Sequence, residues 1–181
     1  MRKILLLVLI VMMSSFLLAC GPKVGKENKT LPEGPKYSFV GKKGEPFKVK
    51  DLDGTEWTEN LYSEYKMTMH VFWSPNCVPC IEELEALQKI KENEATLGMK
   101  MLSFCVEGTE EDIAQLKETY EMDYPIVMMT EDTIMTSCVK DFEFIPFVIF
   151  VDQDGKYMKE FLVGSRTYEE YMAHIKSLGV L

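Results

Sequence analysis

The chain has 181 residues, of which 46% are hydrophobic and 27% are charged. This ordinary globular composition excludes collagen-like repeats, bulk disorder and a polytopic membrane protein. The net charge is −9, and residues 37–181 carry 14 basic and 27 acidic residues, so we exclude nucleic acid as a partner because an acidic domain repels phosphate groups.

The chain begins with a leader. Arg2 and Lys3 precede an apolar run, residues 4–18, that is shorter than the ~20 residues of a transmembrane helix. This pattern predicts that residues 1–19 are a secretory signal peptide. The Leu-Leu-Ala-Cys run ending at Cys20 resembles the bacterial lipobox, in which the cysteine is diacylated and becomes the new N-terminus. We therefore expect an exported lipoprotein, held by its acyl chains at the outer face of the cytoplasmic membrane.

Residues 20–36 are predicted to be the lipidated cysteine followed by a flexible tether, because Gly, Pro, Lys and Glu dominate the segment and apolar periodicity is lacking. The folded domain is predicted over residues 37–181. Its length lies within the usual range for one domain, so its core needs no disulfide to be stable.

Within this domain predicted strands and helices alternate. A hairpin is expected where Phe47 and Val49 alternate with lysines and Asp53-Gly54 leads to Trp57. The later elements are strand 67–73, a helix from Cys80 to Ile90, strand 99–106, a helix capped by Thr109, strand 126–129, a short helix around Cys138, strands 147–151 and 156–163, and a helix opened by a Thr167–Glu170 capping box. The order predicts an α/β fold whose mixed central sheet is flanked by helices.

The motif Cys77-Val78-Pro79-Cys80 lies where a predicted strand ends and a helix begins. The first turn of a helix has free N–H groups and a partial positive charge, which stabilise a thiolate and lower the cysteine pKa from ~8.5 to roughly 3.5–7.5. Cysteines three residues apart on one helix have Cα atoms ~5 Å apart, within reach of a disulfide. We predict that Cys77 and Cys80 interconvert between dithiol and disulfide, without a cofactor or metal.

Three other interpretations of the motif compete with a redox-active pair. Zinc is disfavoured because only two widely separated histidines, His70 and His174, and two further cysteines could complete four ligands. Covalent haem attachment fails because residue 81 is Ile where His is required. A purely structural disulfide stays open, although it would not need a strand-to-helix junction.

Three separated motifs resemble the TlpA-like, membrane-anchored branch of the thioredoxin superfamily, which includes ResA-type proteins. They are the hairpin up to Trp57, the signature Phe72-Trp73-x-x-x-Cys77-x-Pro79-Cys80-x-x-Glu83, and Ile145-Pro146 before an apolar strand. The likeness covers residues 37–181. It implies a thioredoxin-like fold with an N-terminal β-hairpin and a central helical insert, Cys77 as the exposed nucleophile and Cys80 as the resolving cysteine. It also implies a cis peptide bond before Pro146.

The resemblance suggests that Glu83 moves protons for the buried thiol. The alternative is an ordinary surface glutamate, since a working base needs partial burial and a raised pKa. The expected substrate groove is formed by these residues: Trp73, Asn76, Pro79, Ile145 and Pro146. The sequence departs from the family pattern beside this groove, with Asn76, Phe144 and Phe147 at positions where Trp, a small residue and Thr are common.

Cys105 ends an apolar strand, and Cys138 falls in the predicted short helix. The simpler expectation is two buried thiols that behave as small hydrophobic residues. The alternative is a second disulfide between them, which the even number of cysteines left after lipidation of Cys20 favours mildly.

The resemblance implies an extracytoplasmic, membrane-tethered thiol-disulfide oxidoreductase that acts as a reductant on protein disulfides. It also implies a membrane-embedded electron donor of the CcdA type and, as a family-typical role, cytochrome c maturation. A peroxiredoxin-like thiol peroxidase is the enzymatic alternative, but its proline would fall at His70. A non-catalytic binding lipoprotein of the same fold is the second alternative.

Overall fold

The computed structural model describes residues 37–130 and 142–179. The predicted signal peptide, Cys20, the tether and the predicted short helix around Cys138 lie outside the described residues. Among the residues described, no helix is both long enough and apolar enough to cross a bilayer.

The described part contains two sheets and a set of short helices. In chain order the elements are β1 (Lys48–Lys50), β2 (Glu56–Thr58), α1 (Leu61–Glu64), β3 (Met67–Trp73), α2 (Val78–Glu82), α3 (Leu84–Glu92), α4 (Glu94–Leu97), β4 (Met99–Cys105), α5 (Glu110–Thr119), β5 (Ile126–Met128), β6 (Phe147–Asp152), β7 (Tyr157–Val163) and α6 (Tyr168–Ser177). The predicted strands and capped helices of the described region are all present.

The main sheet has five strands in the order β5-β4-β3-β6-β7. β3 pairs in parallel with β4, and β4 pairs in parallel with β5. β6 runs antiparallel to both β3 and β7. The sheet is therefore mixed, as predicted, and its central strand β3 delivers the chain directly to Cys77.

Both faces of the sheet are covered, so its strands are continuous apolar runs. All seven residues of β3 are buried. Its alternate residues Met67, Met69, Val71 and Trp73 belong to one core, which also contains Leu84, Leu87, Ile90 and Tyr171 from the helices. Phe72, between them, belongs to the opposite core, with Leu102, Phe104 and Phe147. The alternation follows from the two-residue period of a strand.

The predicted hairpin forms a separate two-stranded sheet, in which Val49 pairs with Trp57. Asp51 holds its turn: one carboxylate oxygen accepts from the backbone N–H groups of Asp53 and Thr55, and the other accepts from Trp57 Nε1 at 2.8 Å. Gly54 has φ +84°, a conformation that favours glycine. The hairpin prediction is confirmed.

The prediction of one helix from Cys80 to Ile90 is wrong in one respect, because the structure has two helices there. The structure has α2 ending at Glu82 and α3 beginning at Leu84, with Glu83 between them at φ −98° and ψ −6°. Glu83 is buried and bonded to the residues around α6. A periodicity of apolar residues carries no sign of this break, because Leu84, Leu87 and Ile90 are buried as expected.

Candidate functional site

Cys77 and Cys80 form a disulfide at the carboxyl end of β3, with Cα atoms 5.2 Å apart. Cys77 is the N-cap of α2 and has extended backbone angles, φ −103° and ψ 106°. Its sulfur accepts the backbone N–H of Cys80 at 3.3 Å. Cys77 is half-buried, whereas Cys80 is completely buried. The two sulfurs are therefore unequal, and only Cys77 has exposed surface.

A tight turn brings the chain from β3 to the disulfide. The Ser74 carbonyl accepts from the Cys77 backbone N–H at 3.2 Å, and the Ser74 hydroxyl accepts from the Asn76 N–H at 3.1 Å. Gly108 closes the other side of this turn with φ +137°, and a Cβ there would lie 2.4 Å from Pro75 Cγ. Because a side chain at 108 would collide with Pro75, this close approach requires glycine.

The segment before β6 faces the disulfide. The Ile145–Pro146 peptide bond is cis, as predicted. The Ile145 carbonyl oxygen lies 3.6 Å from the Cys77 sulfur, and the Pro146 carbonyl accepts from the Gly164 N–H at 2.9 Å. Proline has no N–H, so the backbone presents carbonyl oxygen rather than a donor beside the sulfur.

The residues predicted to line the groove occupy different depths. Asn76 and Pro79 are exposed, Ile145 is half-buried and Pro146 is buried. The prediction for Trp73 is wrong, because its side chain is completely buried and its indole N–H donates to the Ser103 hydroxyl at 2.6 Å. As the last residue of β3, Trp73 faces the same core as Met67, Met69 and Val71. That core also contains Cys80.

Glu83 is not a surface glutamate. Its side chain is completely buried, and its Oε2 accepts from the Tyr171 hydroxyl at 2.9 Å and from the Arg166 backbone N–H at 3.2 Å. Within the described residues, Oε1 has no hydrogen-bond partner. The carboxyl group is thus held by one oxygen, three residues after Cys80.

Burial raises the pKa of Glu83 to about 7, while the hydrogen bonds from Tyr171 and Arg166 act in the opposite direction. Desolvation disfavours the carboxylate, which is why the pKa exceeds the ordinary value near 4.5. A carboxyl group with this pKa both gives and takes a proton near neutral pH. The burial and raised pKa required of a working base are both present.

Sequence reasoning missed the residues that surround Glu83. Tyr171 and Tyr124 are buried, and the charge of Glu83 raises the pKa of both phenols in addition to the effect of burial. The Thr167–Glu170 capping box fixed where α6 begins and so placed Tyr171 on its inner face. No local signal shows that its hydroxyl meets a residue 88 positions earlier.

Cys105 is a free, buried thiol at the end of β4. Its sulfur donates to the Glu107 carbonyl at 3.2 Å, and burial raises its pKa to about 11. It is therefore protonated at neutral pH. Cys138 lies outside the described residues, so the suggested pairing of the two stays a prediction.

The two histidines do not join the site. His70 is completely buried in the middle of β3, and burial lowers its pKa to about 3. Its ring lies among the rings of Phe47, Tyr62 and Phe104. Across residues 37–130 and 142–179, no cluster of three or more His, Cys, Asp or Glu side chains could hold a metal ion.

The fold is similar to those of several solved structures. StoA from Bacillus subtilis has a TM-score of 0.60 at 18% identity, covering 72% of this chain and 96% of StoA. A thiol:disulfide interchange protein of the thioredoxin family from Chlorobium tepidum has a TM-score of 0.65 at 18% identity, covering 77% of this chain and 96% of that chain. By sequence, thioredoxin-like protein YneN of B. subtilis is 25% identical over 132 residues, covering 72% of this chain and 75% of YneN.

A mixed five-stranded sheet with a Cys-x-x-Cys disulfide at a strand-to-helix junction, opposite a cis-proline, defines a thioredoxin-like thiol-disulfide oxidoreductase. The predicted thioredoxin-like fold is confirmed. The sequence model of the AhpC/TSA family matches residues 40–177, and the chain belongs to this family.

Proposed function

We propose that this protein is an exported, membrane-tethered thiol-disulfide oxidoreductase that reduces disulfides in other proteins through Cys77 and Cys80. One observation carries the proposal. The disulfide has one sulfur at the surface and one in the core, and a buried carboxyl group of pKa about 7 follows it on the next turn. A purely structural disulfide needs neither the unequal exposure nor the carboxyl group.

The reductive reaction starts from the dithiol. The Cys77 thiolate attacks one sulfur of the partner disulfide, forming a mixed disulfide and releasing the partner's other cysteine as a thiolate. Cys80 then loses its proton and attacks the Cys77 sulfur, which forms the Cys77–Cys80 disulfide and releases the second thiolate. The partner gains two electrons and two protons, and this protein loses them.

Glu83 is proposed to accept the Cys80 proton. Cys80 is completely buried, so water is a poor acceptor for its proton, and a buried thiol has a raised pKa. The Glu83 carboxylate takes that proton as Cys80 attacks, and the resulting acid later protonates a leaving thiolate or returns the proton to solvent. The sum of the two steps leaves Glu83 unchanged.

The dithiol must be regenerated by a second thiol donor. The resemblance to the TlpA-like branch supports a membrane-embedded donor of the CcdA type, and it supports cytochrome c maturation as the kind of pathway served. Lipidation at Cys20 after removal of residues 1–19 would keep the domain near such a donor, and the tether to residue 36 would give it reach. The leader sequence supports this location.

Thiol exchange with a disulfide-containing protein tests the activity. Reduced wild-type protein should release two partner thiols per molecule and end as the disulfide. Cys77→Ser should be inactive, and Cys80→Ser should stop at a mixed disulfide that gel electrophoresis without reductant detects. If the protein binds partners without exchanging thiols, and replacement of both cysteines leaves that binding intact, the protein is a binding module. If peroxide reacts with Cys77 far faster than with free thiols, the peroxidase alternative is favoured.

The direction of electron flow is tested by the reduction potential. Equilibration with a thiol buffer should give a value near the ~−270 mV of thioredoxin, which suits a reductant, and far from the ~−120 mV of a strong oxidant. A strongly oxidising potential would reverse the proposed direction. The location is tested separately, by the mass of the mature N-terminal peptide and by membrane fractionation of wild-type protein and a Cys20→Ser variant.

A further inference from the structure

Two large apolar side chains are exposed beside the disulfide. They are Val78, with 70% of its surface exposed, and Phe144, with 65%. In the described part of the chain, no other large hydrophobic residue is exposed to this degree. Val78 directly follows Cys77, and Phe144 precedes Ile145, whose carbonyl oxygen lies 3.6 Å from the Cys77 sulfur.

The outward position of Phe144 contrasts with its aromatic neighbours. Phe142 packs inward on Phe147, with ring centroids 4.0 Å apart. Phe147 is completely buried. The core that contains Phe147 therefore lies close to this segment, yet the Phe144 side chain stays exposed. An exposed apolar group gains free energy when a partner covers it, which is why such groups mark binding surfaces.

The charge around these side chains indicates which partner would cover them. Three segments border the disulfide: residues 74–82 contain it, residues 105–109 include Gly108, which packs against Pro75, and residues 142–147 contain the cis-proline. Together they contain the exposed residues Glu82, Glu107 and Glu143 and no Lys, Arg or His. No ion pair within residues 37–130 and 142–179 involves these three glutamates.

We propose that the preferred substrate is an extended segment of a protein disulfide that has a large apolar residue next to its reactive cysteine and basic residues on either side. This inference rests on the proposed function and names its substrate class. The apolar residue packs between Val78 and Phe144 while the Cys77 sulfur meets the substrate sulfur. The unpaired carboxylates attract the basic residues and repel acidic segments, an effect that raises the association rate and weakens with salt.

Four matched peptides test the proposal. Each carries the same disulfide, with either Leu or Ser beside the cysteine and either lysines or glutamates as flanking residues. The rate of reaction with the full-length reduced protein is measured by stopped flow and divided by the rate with bis(2-hydroxyethyl) disulfide. This division removes any change in the intrinsic reactivity of Cys77.

Wild-type protein should react at least about tenfold faster with the Leu/Lys peptide than with the Ser/Glu peptide. The preference for Leu should fall in Phe144→Ser and, separately, in Val78→Thr. Both side chains are exposed, so neither substitution should prevent folding. The preference for Lys should fall about two- to fivefold in Glu107→Gln/Glu143→Gln, as expected for exposed charges, and it should also fall in 0.5 M salt. Glu64→Gln, an exposed charge before the opposite end of β3, is the matched control and should change neither preference.

Equal normalised rates for all four peptides would overturn the proposal, as would a Leu preference that survives both apolar substitutions. Either result leaves the proposed function intact, because every peptide would still be reduced. If neither the peptides nor the small disulfide reacts, the proposed function itself fails, and this inference fails with it.

Discussion

Glu83 is the residue whose surroundings differ most from what its neighbours in the sequence suggest. It stands between the exposed residues Glu82 and Glu85, yet it is completely buried and shares hydrogen bonds with Tyr171 and the Arg166 backbone. A buried carboxyl group with an unpartnered oxygen costs stability. This cost falls one helical turn after Cys80, the cysteine from which Glu83 is proposed to take a proton. Functional sites often contain groups that lower stability in this way.

Glu83→Gln should slow release of the second partner thiol by about a hundredfold or more at pH 7, because a positioned base typically contributes about 10²–10⁴-fold to proton transfer. The pH dependence of this step should lose its inflection near 7. Single-turnover measurements from pH 5.5 to 8.5, with a small disulfide as substrate, check both effects. Glu85→Gln, on the exposed side of the next turn, is the control. A profile for Glu83→Gln that matches wild type would remove Glu83 from the mechanism.

The same substitution should change stability with a definite sign. The folded pKa of Glu83, about 7, lies above its ordinary value of 4.5, so the folded state loses stability as the pH rises from 4.5 through 7. A difference of this size corresponds to about 3 kcal/mol. Urea unfolding should therefore show Glu83→Gln gaining stability over wild type at pH 8 and little at pH 4.5. An equal effect at both pH values would mean that the carboxyl group is not desolvated.

Tyr171 is expected to act through Glu83 rather than by touching the substrate, because its side chain is completely buried. Its hydroxyl donates to the carboxylate and lowers the Glu83 pKa against the larger effect of burial. Tyr171→Phe should therefore move the inflection of the pH–rate profile upward, by up to about one pH unit, without abolishing thiol release. Tyr168→Phe, on the same helix, is the control. A downward shift would contradict the assigned direction of the hydrogen bond.

At the scale of elements, the sequence predicts correctly those features that a few neighbouring residues determine. The Thr109 and Thr167 caps, the Asp53-Gly54 turn and the apolar run of β3 each depend on a few neighbouring residues, and each was predicted. The break at Glu83 and the burial of Trp73 depend on partners elsewhere in the chain, Tyr171 and Ser103. Alternation between apolar and polar residues cannot report such partners, because they are set by how helices and strands pack.

The central strand β3 contains a histidine, His70, that is completely buried among aromatic rings. Neither nitrogen of His70 has a hydrogen-bond partner among the described residues, and its folded pKa, about 3, lies below the ordinary value of 6.5. Because the unfolded chain binds a proton that the folded state does not, stability should fall as the pH drops from 6.5 toward 3, by about 5 kcal/mol in all.

His70→Phe tests this, since an aromatic ring suits the neighbouring Phe47, Tyr62 and Phe104. Urea midpoints at pH 8 and pH 5 should show the variant gaining stability relative to wild type as the pH is lowered. His174→Phe is the comparison, because His174 is only half-buried and its smaller effect should separate the two histidines. A His70→Phe variant whose stability follows the wild-type pH profile would show that His70 takes up its proton in the folded state.

At the scale of the whole molecule, one hydrophobic core lies on each face of the main sheet. Tyr37 and Phe39 belong to the core that contains Phe147. Tyr37 and Phe39 are buried. The Tyr37 ring meets Phe147 edge-on at 5.2 Å and Phe161 at 4.7 Å. The domain predicted from composition begins at residue 37 and would therefore keep both aromatic residues.

This boundary predicts a sharp difference between two truncations. A fragment beginning at residue 36 should unfold cooperatively and reduce a soluble disulfide as fast as the mature protein, because it keeps both aromatic residues. A fragment beginning at 41 loses Tyr37 and Phe39, and since a buried aromatic side chain contributes about 3–5 kcal/mol, it should lose much of the stability of a domain worth about 5–15 kcal/mol in total. Urea unfolding of the two fragments measures the difference. Equal midpoints would mean that these rings pack on the sheet without stabilising it, and the domain would then begin after Val40.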